Sequence, residues 1–500
     1  MIKDIFLNKS RMKSTFKISF IITFLVHLYF IVNSIKNTDS MWGAYYSNFD
    51  SSTVGRFTLA YLSGISSYFD LQYLNGLLSV LYISLTLVLL IELFDVKNKK
   101  LIVIFIFLYS AFPSVSGTLT YSFLADAYFL STLLVVVSVY LIKTNNSWFA
   151  IIIASILVYV SLGTYQSNLA YIITLLVVLF IRDSLLVNKS IKLYIRSILA
   201  TIIGLILYVF HFKIFERTNN LTTYQGVNEA GNINLSTIIV AFKKAIETFV
   251  HYFFSFFEFV NLFEKLNFLS VIIIIIGLLF LLFKKNGDLF DYLKVIASLV
   301  IIPFSIFLIY FISPNVWYHN LMIHHMVFIY ILGVIISDIL LVKYESRFNK
   351  IYNGINFIVL CLIGFNLIVI TNIYYDKLDT VNNQTYSLMT QVAYDIRNDN
   401  AYREDIPILL VGFPSRSLPP SNIYDEKTPP MSPGTNVDIV DQTTKFVNYI
   451  NRFIGMKNPP TINETDLLSY YANEISSMAE WPSKDSIKIK KDVIIIKFPQ

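Results

Sequence analysis

Eleven apolar stretches, at 18–34, 72–94, 101–119, 127–142, 148–163, 167–181, 197–214, 268–283, 293–312, 326–342 and 351–371, dominate this 500-residue chain. A segment of about 20 apolar residues spans a bilayer as a helix, because hydrocarbon offers no partner to an unpaired backbone amide. With 55% hydrophobic and only 14% charged residues, and a mean hydropathy of +0.61, the chain carries more apolar surface than a soluble core buries. The fold class read from this is a polytopic α-helical membrane protein of about 11 spans. No small-x-small cleavage pattern follows Ile18 to Val32, so that stretch reads as a retained first helix.

Lysine and arginine crowd into every second connection. With the N-terminus in the cytoplasm, the inner loops hold Lys97, Lys99, Lys100, Lys143, Arg182, Lys189, Lys192, Arg196, Lys284, Lys285, Lys294, Lys343, Arg347 and Lys350. The outer loops hold only Lys36, Arg56, Arg217, Lys243, Lys244 and Lys265, which satisfies the positive-inside rule. The net charge of +6 is therefore a property of topology, and no nucleic-acid partner is expected. A single cysteine, Cys361, excludes a disulfide framework and a Cys-based metal site.

The outer face is expected to carry 35–71, 113–126, 164–166, 215–267, 313–325 and everything after 372. Within 215–267, the run Ile238 to Phe259 is apolar but broken by Lys243, Lys244, Glu247, His251 and Glu258, as in a helix lying on the membrane surface. Charge and proline return beyond Thr371, so two domains are expected, a membrane domain 1–371 and an extracytoplasmic α/β domain 372–500. In the second, the pattern predicts helices over Asp376–Asn398, Gln442–Phe453 and Glu464–Met478, a strand Ile408–Val411, a proline-rich loop Pro414–Pro433 and a terminal hairpin Ile487–Phe498.

Candidate chemistry lies in the outer loops. Asp39 follows the first span directly, where a carboxylate meets both lipid headgroups and soluble substrates, and it can act as general base on a sugar hydroxyl; Asp50 is the alternative. Both are equally readable as solvated loop acids. Arg56 follows Gly55, a residue that lets the backbone turn while a guanidinium grips a phosphate, although an arginine marking the interface looks the same. Asp126 stands at the mouth of the fourth span, and Tyr165 with Gln166 in a tight turn can bond sugar hydroxyls or merely cap and anchor helix ends. His319, His324 and His325 cluster near Trp317, but their spacing does not put all three on one helical face, so no metal site is expected.

These segments together resemble the type II Gtr glucosyltransferases, serotype-converting enzymes of the O-antigen type within the C-type (GT-C) superfamily of polytopic membrane glycosyltransferases. The resemblance rests on Asp39 followed by Gly55-Arg56-Phe57, on Asp126-Ala127-Tyr128-Phe129-Leu130-Ser131, on Ser161-Leu162-Gly163-Thr164-Tyr165-Gln166, and on Trp481-Pro482-Ser483 before a final β run. It implies transfer of glucose from a polyprenyl-phosphate carrier to a cell-surface polysaccharide outside the bacterial cytoplasmic membrane. It also implies a partner flippase and a donor-synthesising glycosyltransferase, with no cofactor beyond the lipid-linked donor. On that mapping Asp39 is the base, Arg56 holds the carrier phosphate, and Asp126, Tyr165 and Gln166 line the sugar or acceptor pocket. Where such enzymes often show paired acids in the first loop, this chain has Asp39-Ser40. Where a basic residue often leads a late span, it has His319, His324 and His325, which would make phosphate binding there pH-dependent. An O-antigen polymerase or ligase is expected to lean on arginines in large outer loops, and a flippase on ionisable residues at mid-span.

Overall fold

The computed structural model describes residues 2–47, 49–186, 191–218, 231, 234–285, 287–344, 346–417, 427–428 and 439–500, with the side chains of 2–9, 49, 50 and 218 left out. Each of the eleven apolar stretches is largely helical, with 101–119 and 293–312 each divided between two helices. Nine helices among the described residues are long and apolar enough to cross a membrane, from Ser10–Val32 to the helix Arg347–Arg397. Trp148–Thr164 is apolar but only 17 residues long. The chain is thus a polytopic helical membrane protein.

The stretch expected as one span over 101–119 is two helices, Lys99–Ser110 and Pro113–Leu119, bent by 48°. Pro113 explains the break: it has no N–H to donate and its ring forbids helix on its N-terminal side, so it opens a new helix at its first position. Depth within the bundle also varies. The segment Asn320–Lys343 is almost wholly enclosed, whereas Ile191–Arg217 exposes most of its apolar length and forms the lipid-facing rim.

The two ends of the bundle differ in chemistry. At one end, Lys143 Nζ donates to the carbonyls of Glu92 and Leu93, Arg182 pairs with Asp183 and Asp95, and Lys285 pairs with Asp291. Asp338 Oδ1 there accepts the N–H groups of Lys97 and Asn98. The short connections richest in lysine and arginine meet here, so this is the lysine-rich end.

The opposite end carries the C-terminal segment. Helix Arg347–Arg397 is 51 residues long, or about 75 Å at 1.5 Å per residue, against a hydrocarbon thickness of roughly 30 Å. It therefore runs unbroken across position 371, where composition changes, and projects past the bundle. Strands β1 (Ile408–Val411), β2 (Ile487–Ile489) and β3 (Ile494–Lys497) form a sheet in the order β1-β3-β2, with β1 parallel and β2 antiparallel to β3. The predicted strand and terminal hairpin are both present. The predicted helices are there as shorter pieces, Thr443–Tyr449 continued by Ile450–Ile454, and Glu464–Tyr470 followed by Ala472–Ser477. A core of Ile408, Ile494, Ile496, Phe446 and Phe498 joins the sheet to Met389, Val392 and Ile396 of the long helix. Most of the proline-rich loop 414–433 lies outside the described residues.

The expected surface helix is Leu235–Phe254, capped by Asn234. It turns Ala241, Ala245, Tyr252 and Phe253 inward and leaves Ile239, Phe242, Ile246 and Val250 exposed. Apolar side chains on that outer face suit a helix resting in lipid.

Candidate active site at the sheet end

Two structural features of the first long loop, residues 35–71, build this end. The first holds Asp39. Asn37 accepts the Ser40 N–H at 2.8 Å and so caps the short turn Thr38–Trp42, which fixes Asp39 in its first residues. Tyr46 donates to the Asp39 carbonyl at 2.8 Å. The C-terminal segment then closes on this turn with one helical face. Lys445 Nζ lies 3.7 Å from Asp39 Oδ1 and 3.0 Å from Asp441 Oδ1, donates to Thr38 Oγ1, and sits 4.9 Å from the Trp42 ring centroid. One and two turns on, Asn448 donates to the carbonyls of Met41 and Trp42, and Arg452 to that of Gly43.

Asp39 keeps 37% of its side chain exposed, so an incoming hydroxyl can reach it. Partial burial raises its pKa above the ordinary carboxylate value and Asp441 adds to this, while Lys445 opposes the shift. Asp50, the alternative base, has a side chain outside the described residues.

The same loop contains an acid that sequence patterning missed. Asp70 has a fully enclosed side chain, paired with Lys36 Nζ at 2.7 Å and with Arg452 Nη2 at 3.7 Å, and it accepts from Ser122 Oγ. Nothing in the run Ser67-Tyr68-Phe69-Asp70 announces burial, because its partners come from three distant segments.

The second feature presents Arg56. Gly55 has φ +78°, and a Cβ there would stand 2.6 Å from Tyr208 Oη and 3.0 Å from Gln166 Nε2, so only glycine fits. Gln166 Nε2 donates to the Val54 carbonyl at 2.7 Å and to Tyr208 Oη at 3.2 Å. Gln166 therefore braces the turn as well as facing the cavity. Thr58 N–H bonds the Gly163 carbonyl, and the Phe57 ring stacks on His211 at 4.2 Å. So anchored, Arg56 donates to Tyr128 Oη at 2.9 Å and lies 5.5 Å from the centroid of Tyr165, whose ring stacks on that of Tyr128.

Arg56, Tyr165, Gln166 and His319 line one cavity of about 260 Å³. The rest of its wall is mainly aliphatic and aromatic, from Leu162, Leu205, Val209, Phe212, Ile309 and Val316. Lys213 and Tyr208 also line it; the first falls inside predicted span 197–214, where a lone cation reads as a membrane-edge residue. Burial, with Arg56 nearby, pushes the His319 pKa down to about 4, and its Nδ1 makes no hydrogen bond among the described residues. Burial thus disfavours the charged form of His319.

The other expected site residues lie elsewhere. His324 is packed among the rings of Tyr109, Phe112 and Tyr171, and His325 Nε2 meets the Ile306 carbonyl at 2.9 Å, both inside the bundle. They border a void of only about 20 Å³, too small for a sugar. Asp126 is 1% exposed at the start of helix Ala125–Thr144, its Oδ1 makes no hydrogen bond among the described residues, and it lines neither cavity. Asp39 does not line the Arg56 cavity either. No group of three or more His, Cys, Asp or Glu among the described residues is placed to hold a metal ion.

The family model for glucosyl transferase GtrII matches residues 28–337, more than half of the chain, from within the first span to within the enclosed segment Asn320–Lys343. The chain belongs to the GtrII family. This GtrII-family protein is accordingly a membrane glycosyltransferase, and the match encloses both the Asp39 turn and the Arg56 cavity. No curated protein matches it closely enough to add a named relative.

Proposed function

We propose that this protein moves glucose from a polyprenyl-phosphate carrier to a cell-surface polysaccharide on the outer face of the bacterial cytoplasmic membrane. The observation that carries the reading is the Arg56 cavity. Its apolar walls suit an isoprenoid, and its polar group of Arg56, His319, Tyr165 and Gln166 suits a phosphate carrying a sugar. Arg56 is the charged donor for the phosphate, held by Tyr128 and the turn at Gly55. The contrast between the lysine-rich end and the sheet end supports an outward-facing sheet end by the positive-inside rule.

In the reaction, the sugar on a carrier phosphate seated in the Arg56 cavity reaches out to the separate Asp39 turn, where an acceptor hydroxyl gives its proton to the Asp39 carboxylate as its oxygen bonds the anomeric carbon. The bond from that carbon to the carrier phosphate oxygen breaks, and the electron pair leaves with the phosphate, which Arg56 steadies. The acceptor enters from the cavity lined by Trp42, Asp441 and Thr443 beside that turn. Asp126, Asp50, His324 and His325 are left without a step.

The test is glucosylation of acceptor polysaccharide by membranes supplied with synthetic polyprenyl-phosphate glucose, for the native chain and for Asp39→Asn and Arg56→Ala. Loss in both variants with normal insertion supports the reading; activity from a nucleotide sugar alone overturns the donor. A reporter fused after Asn400 must be active outside the cytoplasm.

A further inference from the structure

At the lysine-rich end, a cavity of about 490 Å³ opens among the ends of helices Gln72–Phe94, Ala125–Thr144, Asn168–Leu185, Ile191–Thr218 and Phe328–Lys343. Its cationic lining is Lys97, Lys143, Arg182, Lys192, Arg196 and Lys343, against the acids Asp95, Asp183 and Asp338.

The acids are already engaged. Asp95 meets Arg11, Lys97 and Arg182; Asp183 meets Arg182 and Tyr194; Asp338 accepts two backbone N–H groups. The cations are less fully matched. Lys143 and Arg196 are aimed by bonds to the carbonyls of Leu93 and Ser147, which orient a charge without cancelling it. Lys192 and Lys343 have no acid within ion-pair distance among the described residues, and both are exposed. Ile142, Leu193, Ile335 and Ile339 add apolar side chains to the same lining.

Positive charge and apolar side chains in one cavity at a bundle end select a phosphate attached to hydrocarbon. We infer that this cavity seats the phosphate headgroup of an anionic membrane lipid, with Lys192 and Lys343 closing on the phosphate and the acyl chains following the apolar side. The site lies at the other end of the spans from Arg56 and is separate from the transferase site.

The full chain, purified and stripped of lipid, is titrated with phosphatidylglycerol, phosphatidylcholine or inorganic phosphate, and bound lipid is read by native mass spectrometry alongside the melting temperature. Phosphatidylglycerol is expected to bind and stabilise, and phosphatidylcholine and inorganic phosphate are not. Lys192→Gln with Lys343→Gln weakens phosphatidylglycerol binding by about 10-fold or more while leaving the lipid-free melting temperature unchanged. Lys192→Glu alone, a reversal at an exposed position, weakens it in the same direction. Equal binding of phosphatidylcholine, or unchanged binding by the double variant, overturns the site. Stabilisation by inorganic phosphate without retention of lipid overturns the lipid source and assigns the cavity to a soluble anion.

Discussion

Lys445, more than 400 positions along the chain from Asp39, places its ammonium 3.7 Å from the Asp39 carboxylate and all but buries itself in doing so. The pair joins the C-terminal segment to the loop after the first span. Because Asp39 is held at a raised pKa by burial and Lys445 pulls it back down, the lysine tunes the proposed base.

The acid limb of the pH-rate profile follows from this. With Asp39 as base, kcat/KM falls as pH drops through its pKa, at a value above that of an ordinary carboxylate. Lys445→Gln removes the opposing charge and shifts this limb to higher pH. A pH profile of transfer by the native protein and the variant checks it; a limb moving to lower pH would sink the assignment.

Asp39→Asn separates catalysis from folding. A carboxyl whose folded pKa is raised binds its proton more tightly in the folded state, so ionisation above that pKa costs stability and removing it does not. Transfer is expected to fall about 10²- to 10⁴-fold, with the melting temperature kept or slightly raised. A variant that loses activity only by unfolding makes Asp39 a structural residue.

Asp70→Ala is expected to do the reverse. It strands Lys36, whose ammonium is enclosed and whose pKa burial already lowers, with Arg452 alongside. Breaking one side of such a pair costs about 3–5 kcal/mol, so detergent thermal denaturation should show a large loss. Lys36→Met with Asp70→Leu should recover much of it.

Arg56→Lys tests the phosphate grip. Lysine keeps the charge but loses the planar fork that meets Tyr128 and lies near the Tyr165 ring, so transfer should drop by about 10²-fold with a normal melting temperature. Gly55→Ala should give a similar loss by another route, since its Cβ meets Tyr208 and Gln166 at a positive φ and shifts the turn that aims Arg56. Equal activity of Gly55→Ala and the native chain would show the turn to be tolerant.

The sequence by itself determined the membrane class, the largely helical character of the apolar stretches, the asymmetry of basic residues between the two ends and the small sheet. These are local properties: hydropathy over about 20 residues and alternation over a strand. Only tertiary structure decided which polar groups meet. Arg56, Tyr165, Gln166 and His319 converge, whereas His324 and His325, five and six residues on from His319, point into the bundle because the segment is almost wholly enclosed there. The partners of Asp39 and Asp70, Lys445 and Arg452, lie on a helix face that docks on the first loop from the far end of the chain. Charge pairing falls off over a few ångströms and takes no account of sequence separation, so spacing along the chain could not reveal it.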